Sequence, residues 1–379
     1  MDKKILIGSL LVIGLFTIMF FGVTPTAFFT AQVENTIKIG WISDLSGSTA
    51  KYGSFEAGTL AVEEINANGG INGKKVELIV EDGKCDSKEA ISAINKLISV
   101  DGVKFVLGGH CTTESMAIAP IVEKNKVIML AAITSSPLLS SAGDYVFRTS
   151  SISTLQSSML TKAAKDKGLK KAAIIYIQTS YAEPIAKKMQ ESFTSLGGEV
   201  VLYEAFAKDT SDFRTILQKA NSLGADLLFF STQTPDEAYY LLKQVKELDL
   251  NQQVFGNDQF QNKTIFARDS SLQEGVIVAA PQMDLNFEKT KHFYEAYKLK
   301  YGKEVPFGFW TAESYDGVFI MAKLIEENRG DVEKVKQALY ALDYSGASGR
   351  VQVDVNGDGV REYQLGTMHE GDIVPYSLN

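Results

Sequence analysis

Residues 37–73 read IKIGWISDLSGSTAKYGSFEAGTLAVEEINANGGING. The apolar run 37–43 reads as a strand, and it gives way to a loop of small hydroxyl and glycine residues over 46–54. Ala57, Leu60, Ala61, Glu64 and Ile65 then recur at helical spacing until Gly69-Gly70 closes the helix. The stretch is a strand-loop-helix unit whose loop has the groups to touch a small polar molecule.

The same alternation continues outward from this unit. Strands are expected over 75–82, 103–107, 127–131, 172–177, 199–206, 225–230, 253–255 and 275–280, with helices over 88–99, 114–124, 153–167, 183–196, 213–223 and 236–248. Strands separated by such helices imply parallel sheets, wound right-handedly with helices on both faces. Runs such as AAIIYI and ADLLFF are apolar on both faces, as central strands must be. A shift in composition over 135–158 reads as a crossover between two lobes. Later come two long helical stretches, 287–301 and 309–328, a short helix over 332–342 and a hairpin-like tail over 348–368. A chain of 379 residues exceeds what one core usually serves, so two lobes are expected. With 45% hydrophobic and 22% charged residues it is ordinary globular material, and a net charge of −8 gives no footprint for a phosphate backbone. Nucleic acid is not an expected partner.

Two lysines precede an uncharged apolar run over 5–23. Such a run is an export signal or an N-terminal membrane anchor, with a buried core helix as the plain alternative. No cysteine follows it closely, which argues against a lipoprotein anchor. Cys85 and Cys111, the two cysteines, read as a disulfide in an exported chain, or else as two buried free thiols. Both fall just past the carboxyl ends of expected neighbouring strands.

Ligands of open parallel sheets collect at those carboxyl ends, where helix N-termini present unpaired N–H groups. Two loops carry suitable residues. In FVLGGHCTTES, Gly108-Gly109 let the backbone approach a guest, and Thr112 and Thr113 bring hydroxyls to a helix start. In MLAAITSSP, Thr134, Ser135 and Ser136 follow a buried strand. Together they suit a carboxylate, although either alone also reads as N-capping.

The 37–73 unit with the following strand resembles the start of the leucine/isoleucine/valine-binding family of periplasmic solute receptors, and the likeness extends over roughly 36–368. The EDGKCD and GGHCTT segments look like that family's paired-cysteine loops, with the residue after the second cysteine, here Thr112, on the ligand carboxylate. The resemblance further implies contacts at Ile133, through its backbone, and Ser135. It also implies an aromatic wall at Tyr52, and a tyrosine at Tyr181 although the glycines usual around it are missing. Asp258 in VFGNDQF matches the acidic residue expected to meet an ammonium group, with capping of the next turn as its plain alternative. Gln233 departs from the tyrosine common at its place, which leaves side-chain specificity open. The implied fold is α/β: two doubly wound parallel-sheet lobes of the type I periplasmic-binding-protein kind, joined by a multi-strand hinge and preceded by an N-terminal hydrophobic helix. Residues 1–33 are then the signal or anchor, 34–150 with 282–352 the N-terminal lobe, and 151–281 with 353–379 the C-terminal lobe.

The expected function is an extracytoplasmic, monomeric, non-enzymatic receptor without a cofactor. It would capture a branched-chain or related amino acid or amide by hinge closure and deliver it to the membrane permease of an ABC importer. The candidate ligand-binding residues are Tyr52, Thr112, Ile133, Thr134, Ser135, Tyr181, Gln233 and Asp258. A ligand-sensing ectodomain for signalling, with the same lobes, is the alternative; the polar run up to Asn379 favours transport. Asp354, Asn356, Asp358 and Gly359 imitate the start of a calcium loop, but the twelfth position is Leu365, so a hairpin turn is expected and no metal. His110, His292 and His369 form no triad or zinc pattern.

Overall fold

The computed structural model describes residues 36–377. The apolar run 5–23 lies outside them, and among the described residues no helix is long and apolar enough to cross a membrane. The first part of the chain comprises β1 (Thr36–Ser43), α1 (Ser54–Ala67), β2 (Lys75–Asp82), α2 (Ser87–Ser99), β3 (Phe105–Leu107), α3 (Thr112–Asn125), β4 (Ile128–Ala131) and β5 (Val146–Arg148). There follow α4 (Thr154–Asp166), β6 (Lys171–Ile177), α5 (Ala182–Ser195), β7 (Glu199–Phe206), α6 (Arg214–Ser222), β8 (Leu227–Ser231), α7 (Pro235–Glu247), β9 (Gln253–Gly256), α8 (Lys263–Arg268) and β10 (Ile277–Pro281). The remainder is α9 (Glu288–Tyr301), α10 (Gly308–Glu327), α11 (Val332–Tyr340), β11 (Asp343–Gly346), β12 (Gly349–Val353), β13 (Gly359–Val360), β14 (Tyr363–His369) and β15 (Asp372–Pro375).

The first sheet runs β2-β1-β3-β4-β5, parallel throughout. Its strands are buried on both faces, and the two-residue period of a strand sorts their side chains. Ile39, Trp41, Phe105, Leu107, Ile128 and Leu130 join the core with α1, α10 and α11, whereas Ile42, Val106, Met129 and Ala131 join the one with α2 and α3.

The second sheet runs β15-β14-β10-β9-β8-β6-β7. It is parallel from β7 to β10, as the doubly wound fold class implies, and gains antiparallel neighbours at β14 and β15. The tail also differs from a single hairpin: β12 and β13 belong to a small antiparallel sheet with β11, and β14 crosses to the second sheet, where it pairs with β10 and with the edge strand β15. Within 135–158 the chain does not simply cross over; it first lays down β5 at the edge of the first sheet. Asp354 Oδ1 accepts from the backbone N–H of Asn356 at 2.8 Å and of Asp358 at 3.0 Å, forming the turn between β12 and β13. The Asp358 carboxylate is held by Arg148 at 2.7 Å, with both side chains buried.

The chain passes between the sheets after β5, after β10 and between β13 and β14. Arg361 ties the first of these passages to the last, and its neighbour Glu362 joins the second. Its backbone N–H donates to Ser151 Oγ at 2.7 Å, its Nε donates to the Thr149 carbonyl at 2.8 Å, and Nε also faces Glu313 of α10 at 3.1 Å. Gln282 N–H donates to the Glu362 carbonyl at 2.9 Å. The guanidinium is almost wholly buried; it donates to the Thr149 and Ser348 carbonyls and the Ser348 hydroxyl and is ion-paired with Glu313, which is what makes burial of the charge tolerable.

Candidate functional site

Between the carboxyl ends of the two sheets lies a buried cavity of about 30 Å³. The loop after β1 reaches it by folding around Asp44, whose carboxylate accepts from the N–H of Gly47 at 2.5 Å and of Thr49 at 2.7 Å, and from the Thr49 hydroxyl at 2.7 Å. This sets Thr49 and Tyr52 on the wall, and Gly53, at φ 75°, turns the chain into α1.

Cys85 and Cys111 form a disulfide with Cα atoms 5.3 Å apart, and Thr49 Oγ1 rests 3.6 and 3.5 Å from their sulfurs. Glu114 braces the same loops by accepting from the N–H of Cys111 at 2.7 Å and of Cys85 at 3.0 Å, and burial pushes its carboxyl up to about 8. Gly108 takes φ 120°, where a Cβ would stand 2.5 Å from the Ile42 carbonyl, so glycine is required there. His110, Cys111 and Thr112 follow on the wall, and α3 begins at Thr112, bringing helix N–H groups to the cavity.

Of the residues expected from sequence, Tyr52, Thr112, Ile133, Ser135, Tyr181 and Gln233 line the cavity. Thr134 turns away: its hydroxyl donates to the Gly109 carbonyl at 3.0 Å and lies 2.8 Å from Ser115 Oγ, bracing the two loops against each other. Asp258 is fully buried and off the wall, where its Oδ1 accepts the hydroxyl of Tyr181. Burial pushes the Asp258 carboxyl up to about 6, partly offset by that bond. Burial and the same carboxylate drive the Tyr181 hydroxyl well above its ordinary range, so it stays protonated and donates. The Trp310 and Gln156 side chains also help hold the Asp258 carboxylate down, no cationic side chain among the described residues does so, and Ser135 Oγ is buried without a hydrogen-bond partner among them.

Thr49, His110, Gln259, Phe307 and Trp310 also line the wall, and sequence reasoning did not assign them. The last two sit in PFGFW, whose aromatic density around a glycine was the available signal. The structure is closed over the cavity. Tyr52 Oη bonds Gln259 Oε1 at 2.8 Å and the Gln233 carbonyl at 2.9 Å, Ser136 Oγ donates to the Ser180 carbonyl at 2.8 Å, and Thr113 and Ser180 hydroxyls meet at 3.1 Å.

Known proteins share this arrangement. A family model described as periplasmic binding protein matches residues 36–372. The leucine-, isoleucine-, valine-, threonine- and alanine-binding protein of Pseudomonas aeruginosa is 30% identical over 336 residues, 86% of this chain and 88% of its own length. Among solved structures, a leucine-binding protein from Thermotoga maritima superposes with a TM-score of 0.80 at 26% identity, over 90% of this chain and 98% of that one. The branched-chain amino acid transporter substrate-binding protein of Streptococcus pneumoniae, in complex with isoleucine, does so with a TM-score of 0.79 at 26% identity, over 89% and 97%. On sequence and architecture together, the chain belongs to the periplasmic binding protein family, in the branch of the leucine/isoleucine/valine-binding proteins.

Proposed function

We propose that this protein is an extracytoplasmic receptor that captures a small amino acid by closing its two α/β lobes and hands it to the permease of an ATP-driven importer. The observation that carries the reading is the fully buried Asp258 carboxylate, which neutral donors hold and no cationic side chain among the described residues pairs with, beside a cavity whose other side offers Ser135 Oγ and the first turn of α3. A carboxylate oxygen removed from water needs a cationic partner, and helix N–H groups with a hydroxyl suit an anion. An α-amino acid brings both charges in one small molecule. The Pseudomonas aeruginosa relative is named for binding leucine, isoleucine, valine, threonine and alanine, and the two solved structures for leucine and for isoleucine, which supports the same class of ligand here.

In this reading the lobes are 34–150 with 282–352 and 151–281 with 353–379, the passages tied by Arg361 and Glu362 are the hinge, and residues 1–33 are the export signal or anchor. The receptor works as a monomer and carries out no chemical step, so ligand is recovered unchanged after prolonged incubation. Titration calorimetry of the purified protein against the common amino acids tests the proposal. At least one is expected to bind with micromolar or tighter Kd, and failure of all to bind would overturn it.

A further inference from the structure

His110 has no part in holding a zwitterion, yet it is the most unusual group on the cavity wall. It is only 6% exposed, and its Nε2 has no hydrogen-bond partner among the described residues. The cavity of about 30 Å³ and an adjoining one of about 10 Å³ share His110 and Ile133 as walls. Around the smaller space the other side chains, Trp41, Leu107 and Ala132 among them, are almost all apolar. The Tyr52 ring stands 6.0 Å from the imidazole, centre to centre.

A ring nitrogen taken from water and left unpaired is unfavourable, and an aliphatic residue would line a pocket for an aliphatic side chain at no such cost. Burial also pushes the imidazole down to about 4, so the ring is neutral at physiological pH. In that state Nε2 accepts or donates one hydrogen bond according to its tautomer, which suits a hydroxyl or an amide.

Building on the amino acid reading above, we infer that His110 is the specificity-determining residue of this site and that the preferred ligand is an α-amino acid with a hydroxyl or amide on a short side chain. A polar group in the site penalises a ligand that lacks the matching polar atom far more than an apolar pocket penalises an added one.

Calorimetry with two near-isosteric pairs, threonine against valine and asparagine against leucine, tests the inference. In the unaltered protein at least one polar member is expected to bind at least about tenfold more tightly than its partner. His110→Leu is expected to erase or reverse that preference while still binding the apolar member. Valine and leucine binding as tightly as threonine and asparagine in the unaltered protein would overturn the inference and leave the amino acid reading standing. A buried water satisfying Nε2 from the adjoining cavity would give that result. If none of the four nor alanine binds, the amino acid reading itself fails. The comparison within the unaltered protein decides the class of ligand even if His110→Leu does not fold, and a polar preference that persists in a folded His110→Leu or His110→Phe would overturn the assignment to His110.

Discussion

Tyr52 and Gln259 stand on opposite sides of the cavity and are joined by a hydrogen bond of 2.8 Å from the tyrosine hydroxyl to the amide oxygen. One comes from the loop after the first strand of the first sheet, the other from the turn after β9 of the second. Opening the hinge separates them, so the bond belongs to the closed arrangement and favours it by the differential affinity that any closing contact must supply.

Tyr52→Phe removes this contact together with the hydroxyl's second bond across the cavity, to the Gln233 carbonyl at 2.9 Å, while the ring keeps its packing on Phe307, 4.3 Å between centres. A neutral hydrogen bond contributes about 1 kcal/mol net. Ligand Kd is expected to rise roughly 5- to 10-fold by calorimetry, while the melting temperature of the unliganded protein hardly changes. A Kd equal to that of the unaltered protein would mean that closure does not draw on this bond.

Asp258→Asn keeps the size and the acceptor for Tyr181 but removes the charge. Truncating one partner of a buried charged pair costs about 2–5 kcal/mol, so affinity for an amino acid is expected to fall by roughly 30-fold or more. Stability moves the other way. A carboxyl raised to about 6 in the folded protein binds protons more readily there than in the unfolded chain. It therefore destabilises the fold increasingly as pH rises from the unfolded value of about 4 through about 6. Without ligand at pH 7, the Asn variant is expected to be at least as stable in urea. Affinity of the unaltered protein should also weaken below about pH 6, by up to about tenfold per pH unit, because the ammonium needs the ionised carboxylate. The variant should lack that dependence.

How far the sequence reveals this site follows from the geometry of parallel sheets. Tyr52, Thr112 and Ser135 lie just past strand ends that hydrophobic runs mark clearly, and such loops converge on one edge of the sheet. Thr134 was not separable from its neighbours: the chain bends at 132–133 just past β4, and the Thr134 hydroxyl turns to the Gly109 carbonyl while Ile133 and Ser135 stay on the wall, an orientation no local pattern encodes. Phe307 and Trp310 were not legible because an aromatic run entering a buried helix looks the same whether it packs on a core or on a guest. Likewise β14 reads as a strand, but its pairing antiparallel to β10 depends on a path through the hinge that no local pattern encodes. His110 lacked a signal because a histidine acquires meaning only from what surrounds it.

Reducing the disulfide, or replacing both cysteines by alanine, tests how strongly the site depends on its frame. The bond spans 26 positions, and closing a loop of that length restricts the unfolded chain by roughly 3 to 4 kcal/mol in the chain-entropy model. Urea unfolding is expected to show a loss of about that size. Because Thr49 rests on both sulfurs, the loop bearing Tyr52 should loosen as well, raising ligand Kd in the same sample. Equal stability with and without reductant would show that the fold does not rely on the bond.

Arg361→Ala probes the hinge, and here pH gives the decisive reading. Removing one partner of a buried ion pair leaves the other uncompensated, at a cost of about 3–5 kcal/mol. The partner is Glu313, which burial raises to about 7 even with the arginine beside it. Loss of that cation removes an influence that holds the carboxyl down, so it moves further up and is protonated in the folded variant over more of the pH range. A group whose folded pKa lies above its unfolded value of about 4.3 destabilises the fold as pH rises through the interval between them. Arg361→Ala is therefore expected to lose more stability at pH 8 than at pH 5 relative to the unaltered protein, measured by urea midpoints at both. Glu313→Gln on top of Arg361→Ala should shrink the difference, leaving the share of buried Asp316, whose carboxyl the Arg361 cation also holds down. The same loss at both pH values in the single variant would assign its cost to the bonds from Arg361 to Thr149 and Ser348 instead.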